Sequence, residues 1–354
     1  MACRIGADWA YKGVKALVLE NEYLRITCLP DKGSDIIEIL YKPLEIDFLW
    51  HFSTGCRKPA GFVWPSGRSD SSFLDFYEGG WQDILPNAGL PSKHRGTDWG
   101  QHSESALMPW QYFVEERRPE KVRVHLTTDL HHYPFSVDKW LILEQKQKYF
   151  TIKERITNHS EQDLEFSWLQ HVAFGEPFLE PGNIISIAAE KAVVHSPEIP
   201  HSSLPPGKEF KWPMIRDKKA KQVDLSLIPN RKTRTHDLVY LLDVKEGWYA
   251  LTNPHLKLTF SLTWDKKVFP HIWYWRPLGG AWDYPWFGKA WAIALEPCTS
   301  WPTTGLTDQV KKGTAARLAG GSFIENEMKV AIYTGLHSVT EATGTCIVRS
   351  TRHA

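Results

Sequence analysis

Short extended segments, interrupted again and again by turn residues, set the outline of this 354-residue chain. Val14 to Glu20 (VKALVLE) alternates in polarity, and Leu24 to Leu29 (LRITCL) follows it. Pro30-Asp31-Lys32-Gly33 is a turn cluster, after which Asp35 to Leu40 is extended again. Segments of the same kind recur at Val122 to Leu126, Trp140 to Leu143, Phe150 to Ile156 and Leu164 to Trp168. Others are Leu238 to Leu242, Tyr249 to Thr252, Leu256 to Trp264, Ala290 to Leu295 and Val330 to Tyr333. Gly, Pro, Asn or Asp separates most of them, the mark of an all-β sandwich or barrel. No long stretch carries a helical apolar period, no strand–helix alternation is visible, and no repeat stands out.

Composition narrows the class further. The 17 Trp, 16 Phe and 12 Tyr exclude a disordered chain and disfavour a helical bundle, since aromatics concentrate in strands. Lys and Arg number 42 against 41 Asp and Glu, so the net charge of +1 lacks the basic excess of a nucleic-acid binder. No apolar run approaches the ~18 residues needed to span a bilayer, so no membrane partner is expected. Cysteines at 3, 28, 56, 298 and 346 form no CxxC and no disulfide framework. The opening MACRIGADWAYKG has no apolar signal core, and together these features point to a reduced, cytoplasmic protein.

Three segments break the strand rhythm: 51–112, 171–235 and 269–289. Long irregular segments within a compact fold are usually functional. The run Arg216-Asp217-Lys218-Lys219-Ala220-Lys221 reads as a solvated loop. No linker divides the chain, so one large β domain over residues 1–354 is expected.

Four clusters could carry chemistry. They are Tyr77 to Gly89 (YEGGWQDILPNAG), Trp99 to Glu104 (WGQHSE) with Met108-Pro109-Trp110, Trp168 to Gly175 (WLQHVAFG) and Ala292 to Pro302 (AIALEPCTSWP). Glu296 ends an apolar run and precedes a proline. It either sits at the edge of a buried face, where desolvation would raise its pKa, or points into water. His171, amid Trp168, Leu169, Val172 and Phe174, is either a satisfied core histidine or a titratable site group. His102 carries a weaker signal of its own. A carboxylate and two imidazoles on strand edges can make a general acid–base site, and flat aromatic faces suit a pyranose ring. Dinucleotide, P-loop, HExxH and GxSxG motifs are all missing from the sequence. His131 and His132 would point to opposite faces of a strand, so no metal site is expected there.

In this order the clusters resemble the galactose mutarotase-like (aldose 1-epimerase) superfamily. The stretch NEYLRITCLPDKGSDIIEILYK is similar to that family's opening strands and turn. The resemblance implies an all-β, large antiparallel β-supersandwich with long loops and few short helices. It implies a small-molecule sugar in a cleft on one sheet, and no cofactor. Glu296 would be the general base on the anomeric hydroxyl and His171 the general acid on the ring oxygen. His102 and Asp237 would hold the substrate, with Trp81, Asn87, Gln170, Trp275 and Arg276 as further contacts. Mutarotases of this kind carry an arginine where this chain reads Pro86-Asn87-Ala88-Gly89. Arg95 and Arg276 are the candidates to replace it, and the departure points to a sugar other than plain galactose or glucose. The expected activity is aldose 1-epimerisation. A related sugar isomerase, a non-catalytic sugar sensor and a homodimer all stay open.

Overall fold

The computed structural model describes residues 2–52 and 72–336, with Val339, 341–343 and 347–349 beyond them. Two antiparallel sheets face each other. The first has twelve strands. Its order runs Arg4–Tyr11, Val14–Glu20, Leu24–Leu29, Asp35–Tyr41, Trp81–Ile84, Leu169–Phe174, Ile293–Cys298, His271–Leu278, Thr235–Leu242, Lys191–Val194 and Glu209–Lys211, with Ile46–Asp47 added to Asp35–Tyr41. The second has eight, in the order Gln111–Arg117, Lys121–Asp129, Phe135–Glu144, Tyr149–Asn158, Phe323–Thr334, Leu258–Thr263, Trp248–Asn253 and Ile184–Ile187. The helices are short, Ser72–Phe76 and Leu306–Lys312 with brief 3-10 turns. No helix among the described residues is long and apolar enough to cross a membrane.

The second sheet alternates cleanly. Phe135–Glu144 buries every other residue, because one face meets the core and the other meets water. The middle of the first sheet does not alternate. Leu169–Phe174 and Ile293–Cys298 are buried at every position, since the sheet is covered on both sides. One face packs into the intersheet core with residues such as Val172, Phe174, Ile293 and Leu295. The other carries a second apolar layer with Leu169, Ala173, Leu238, Tyr240, Trp273 and Ala294.

That double cover explains why the sequence reading mistook a central strand for loop. The segment 269–289 contains His271–Leu278, a central strand paired on both sides. The segment 171–235 holds Ile184–Ile187 and Lys191–Val194, and 51–112 holds Trp81–Ile84. Leu164 to Trp168 shortens to the strand Leu164–Phe166, and a separate strand, Leu169–Phe174, begins just after it. The turn at Pro30 to Gly33 is present, with Lys32 N–H donating to Leu29 C=O at 3.1 Å. Gly33 sits there at φ +61°, where a Cβ would meet the Ala106 carbonyl oxygen at 2.3 Å.

Charged groups also tie the sheets together. Lys139, on the second sheet, reaches across the core to Asp83 on the first at 2.5 Å. Gln170 donates to Asp83 at 2.6 Å and to Glu154 at 2.9 Å, and Trp81 donates its indole N–H to Gln170 at 2.7 Å. Burial alone would depress the Lys139 ammonium, but Asp83 and Glu154 outweigh it and hold the pKa above its ordinary value. Cys3, Cys28 and Cys298 are buried free thiols, and Cys56 and Cys346 lie outside the described residues.

Candidate active site

Antiparallel pairing brings two candidate residues together. Leu169 pairs with Cys298 and Ala173 with Ala294, which sets His171 opposite Glu296 on the neighbouring strand. Both side chains point to the outer face of the first sheet, the face of Leu169 and Ala173. His171 Nε2 lies 3.7 Å from Glu296 Oε1, and both residues are buried. Above them is a cavity of about 250 Å³. Tyr77, Trp273, Trp275 and Trp286 form its aromatic wall. Trp275 and Trp286 have ring centroids 5.2 Å apart, and Tyr77 meets the His171 ring edge-on at 5.1 Å.

Desolvation sets the proton positions. Burial raises the Glu296 carboxyl well above its ordinary range. Burial lowers the His171 imidazole to about 4. Burial thus shifts the two groups in opposite directions, making the carboxyl the stronger proton holder of the pair. The Tyr77 hydroxyl approaches His171 Nδ1 at 3.4 Å, on the ring side away from Glu296.

His102 enters from a different direction. It sits at φ +49° in the loop after Trp99 and exchanges two hydrogen bonds with Gly89. Its backbone N–H donates to Gly89 C=O at 2.9 Å, and the Gly89 N–H donates to its Nδ1 at 3.0 Å. The second bond fixes the neutral tautomer with hydrogen on Nε2. Burial first, then the neighbouring His171, holds its pKa well below the ordinary value. Gly89 has φ +108°, and a Cβ there would meet the Thr303 carbonyl oxygen at 2.3 Å. The LPNAG stretch is thus a support for His102.

Comparison with known proteins supplies the family. A family model described as "Domain of unknown function (DUF4432)" matches residues 11–332. The chain belongs to this DUF4432 family. No curated protein matches it. Among solved structures, it is similar to a "putative aldose 1-epimerase" from Klebsiella pneumoniae, with a TM-score of 0.71 at 15% identity over 93% of this chain and 83% of that one. A galactose mutarotase-like protein from Clostridium acetobutylicum gives a TM-score of 0.63 at 14% identity, over 94% of this chain and 99% of that one. A galactose mutarotase-like protein from Lactobacillus casei gives 0.61 at 14%, over 90% and 100%. Identities this low speak for the fold. This DUF4432 chain shares its fold with proteins described as galactose mutarotase-like.

In this DUF4432 protein, Glu296, His171, His102 and Trp275 line one cavity. Five other expected contacts face elsewhere. Strand alternation turns Asp237 to the core side, where Ser202, Ser203 and Thr235 donate to its carboxylate and Arg276 stands at 3.5 Å. Arg276 is its register partner on the next strand and shares that buried face. Trp81 and Gln170 belong to the intersheet network. Asn87 is a loop brace, donating to Leu90 and Gly100 carbonyls and accepting from Ser92 and Leu306. Arg95 pairs with Glu165 at 2.9 Å on the surface. No arginine or lysine lines the cavity among the described residues.

Of the tryptophans, Trp273, Trp275 and Trp286 line the cavity, whereas Trp99 and Trp110 join Trp81 in the core. Trp282 is 43% exposed, and Trp64 lies outside the described residues. The sequence reading missed two lining histidines, His195 and His236. His236 was one position away from Asp237, and period-2 alternation alone would have swapped them once the strand Thr235–Leu242 was in register. His195 follows the short strand Lys191–Val194 inside a segment read as irregular, and it carried no signal.

Proposed function

We propose that this protein is an aldose 1-epimerase-like enzyme that interconverts the anomers of a free sugar. The observation that carries this reading is the buried pair of His171 and Glu296, 3.7 Å apart on the floor of an aromatic-walled cavity. Anomer exchange needs one group that takes a proton while its neighbour gives one. The reaction starts with Glu296 as carboxylate and His171 as imidazolium. Glu296 accepts the proton of the anomeric hydroxyl as His171 donates to the ring oxygen. The bond from the anomeric carbon to the ring oxygen breaks, and the anomeric carbon becomes the carbonyl of the open chain. After rotation about the adjacent carbon–carbon bond, the ring hydroxyl closes on the opposite face. Its proton returns to His171 and the anomeric oxygen regains one from Glu296. No group beyond the two side chains is consumed.

The walls support this chemistry in two ways. Trp273, Trp275 and Trp286 exclude water and offer apolar surface to sugar C–H faces. Their low polarity strengthens the proton exchange below them. His102 would donate its Nε2 hydrogen to a substrate oxygen near the reacting centre. A cavity below the ~300–1,000 Å³ of larger ligand sites suits one monosaccharide. Two-dimensional exchange NMR on a panel of free sugars tests the proposal. Exchange above the uncatalysed rate for at least one sugar is expected, and saturable binding without exchange would identify a sensor instead.

A further inference from the structure

The proposed reaction uses one edge of the His171 ring, yet the opposite edge has a partner of its own. Tyr77 follows the short helix Ser72–Phe76 and is buried. Its ring stacks on Phe73 at 5.1 Å, meets Trp286 edge-on at 5.8 Å and lies 6.1 Å from Trp50. Three rings thus hold the phenol, and its hydroxyl reaches His171 Nδ1 at 3.4 Å. Glu296 stands at the other edge, 3.7 Å from Nε2. Burial first, then the neighbouring Glu296, pushes the Tyr77 pKa well above its ordinary value, so the phenol keeps its proton.

Chemistry at Nε2 decides which way this hydrogen bond runs. To give a proton from Nε2 and take it back, the ring passes between imidazolium and the neutral form with hydrogen on Nδ1. Nδ1 carries hydrogen in both forms, so the Tyr77 oxygen accepts in both. Were Tyr77 the donor, neutral His171 would carry its hydrogen on Nε2, and giving that up would leave an imidazolate. The His171 backbone carbonyl agrees with this direction. It opposes the fall in the imidazole pKa, as an oxygen accepting from a ring N–H does, and Nδ1 is the ring nitrogen nearer the backbone. A neutral acceptor also suits an acid. A carboxylate in this place would hold the imidazolium strongly, whereas a phenol orients the ring without adding a charge. The phenol's own hydrogen is then left for the cavity that Tyr77 lines.

We propose that Tyr77 is a positioning residue for His171, fixing the neutral imidazole with hydrogen on Nδ1 and a bare Nε2 toward Glu296 and the sugar. The use made of this tautomer rests on the anomer-exchange reading. The neighbouring side chains do not supply the same support. The His102 ring is 5.6 Å away, and its Nδ1 already accepts from the Gly89 N–H. The Trp275 indole N–H is given to His236 at 3.0 Å, and Phe73 has no polar atom to offer.

Nitrogen-15 NMR of the histidine-labelled protein reads the tautomer, with the His171 signals assigned by their loss in His171→Gln. The parent protein at neutral pH is expected to show hydrogen on Nδ1 and a bare Nε2. Tyr77→Phe keeps the ring packing and removes the hydroxyl, so hydrogen should redistribute toward Nε2. In the same variant kcat for anomer exchange should fall about tenfold while KM stays within about twofold, because the ring is misprotonated and the cavity is unchanged. Hydrogen on Nε2 in the parent would overturn the proposal, as would a parental tautomer or a parental kcat in Tyr77→Phe. The parent spectrum decides the tautomer even if the variant fails to fold. The expected tautomer shift with no exchange on any sugar would uphold the role of Tyr77 and sink the anomer-exchange reading.

Discussion

His171 and Glu296 stand directly across from each other on neighbouring antiparallel strands, with Nε2 and Oε1 3.7 Å apart. Neither residue is close to the other in sequence. The strand pairing alone aligns them, and burial then moves their pKa values in opposite directions. The carboxyl becomes the better proton holder and the imidazole the poorer one. That inversion leaves the pair with one proton between the lowered imidazole and the raised carboxyl.

A pH profile follows from this inversion. Below about 4 both groups are protonated and no base remains. Above the raised Glu296 pKa both are deprotonated and no acid remains. Activity should therefore form a bell, rising through about pH 4 and falling on the alkaline side of an upshifted carboxyl. Exchange rates measured from pH 3.5 to 10 check this (an approximate working range, ~3.5–10). A rise near the ordinary imidazole value would contradict it.

His102 is held by Gly89, so the two positions should fail together. His102→Ala removes one neutral donor and is expected to lower kcat/KM about tenfold, the scale of one hydrogen bond. Gly89→Ala places a methyl against the Thr303 carbonyl and forces a strained φ, so it should lower kcat/KM similarly and also lower Tm. Steady-state kinetics with thermal melts would separate the two effects.

The buried Lys139–Asp83 pair should dominate the stability of the intersheet core. Lys139→Met leaves Asp83 buried without its cation, and a cost of about 3–5 kcal/mol is expected. The double variant Lys139→Met with Asp83→Asn should recover part of that loss. Chemical denaturation measures both, and a single variant as stable as the parent would refute the role given to the pair.

What the sequence revealed tracks how each strand is exposed. The second sheet was legible because water on one face imposes alternation, as in Phe135–Glu144. His271–Leu278 was read as irregular because both its faces are covered and its proline and tryptophans mimic a loop. Glu296, His171 and His102 were legible as polar groups inside apolar or Gly-rich motifs. Asp237 and Arg276 were not separable from His236 and Trp275 without register, since one residue of offset exchanges core for cavity. His195 is defined only by the chain that folds around it, through Tyr240 and Thr303.

Glu296→Gln is nearly isosteric and keeps the strand pairing while removing the proton acceptor. Anomer exchange by NMR should be at least ~100-fold slower in this variant than in the parent protein, with sugar binding retained. Exchange by the variant at the parent rate would contradict the assignment of Glu296 as the base.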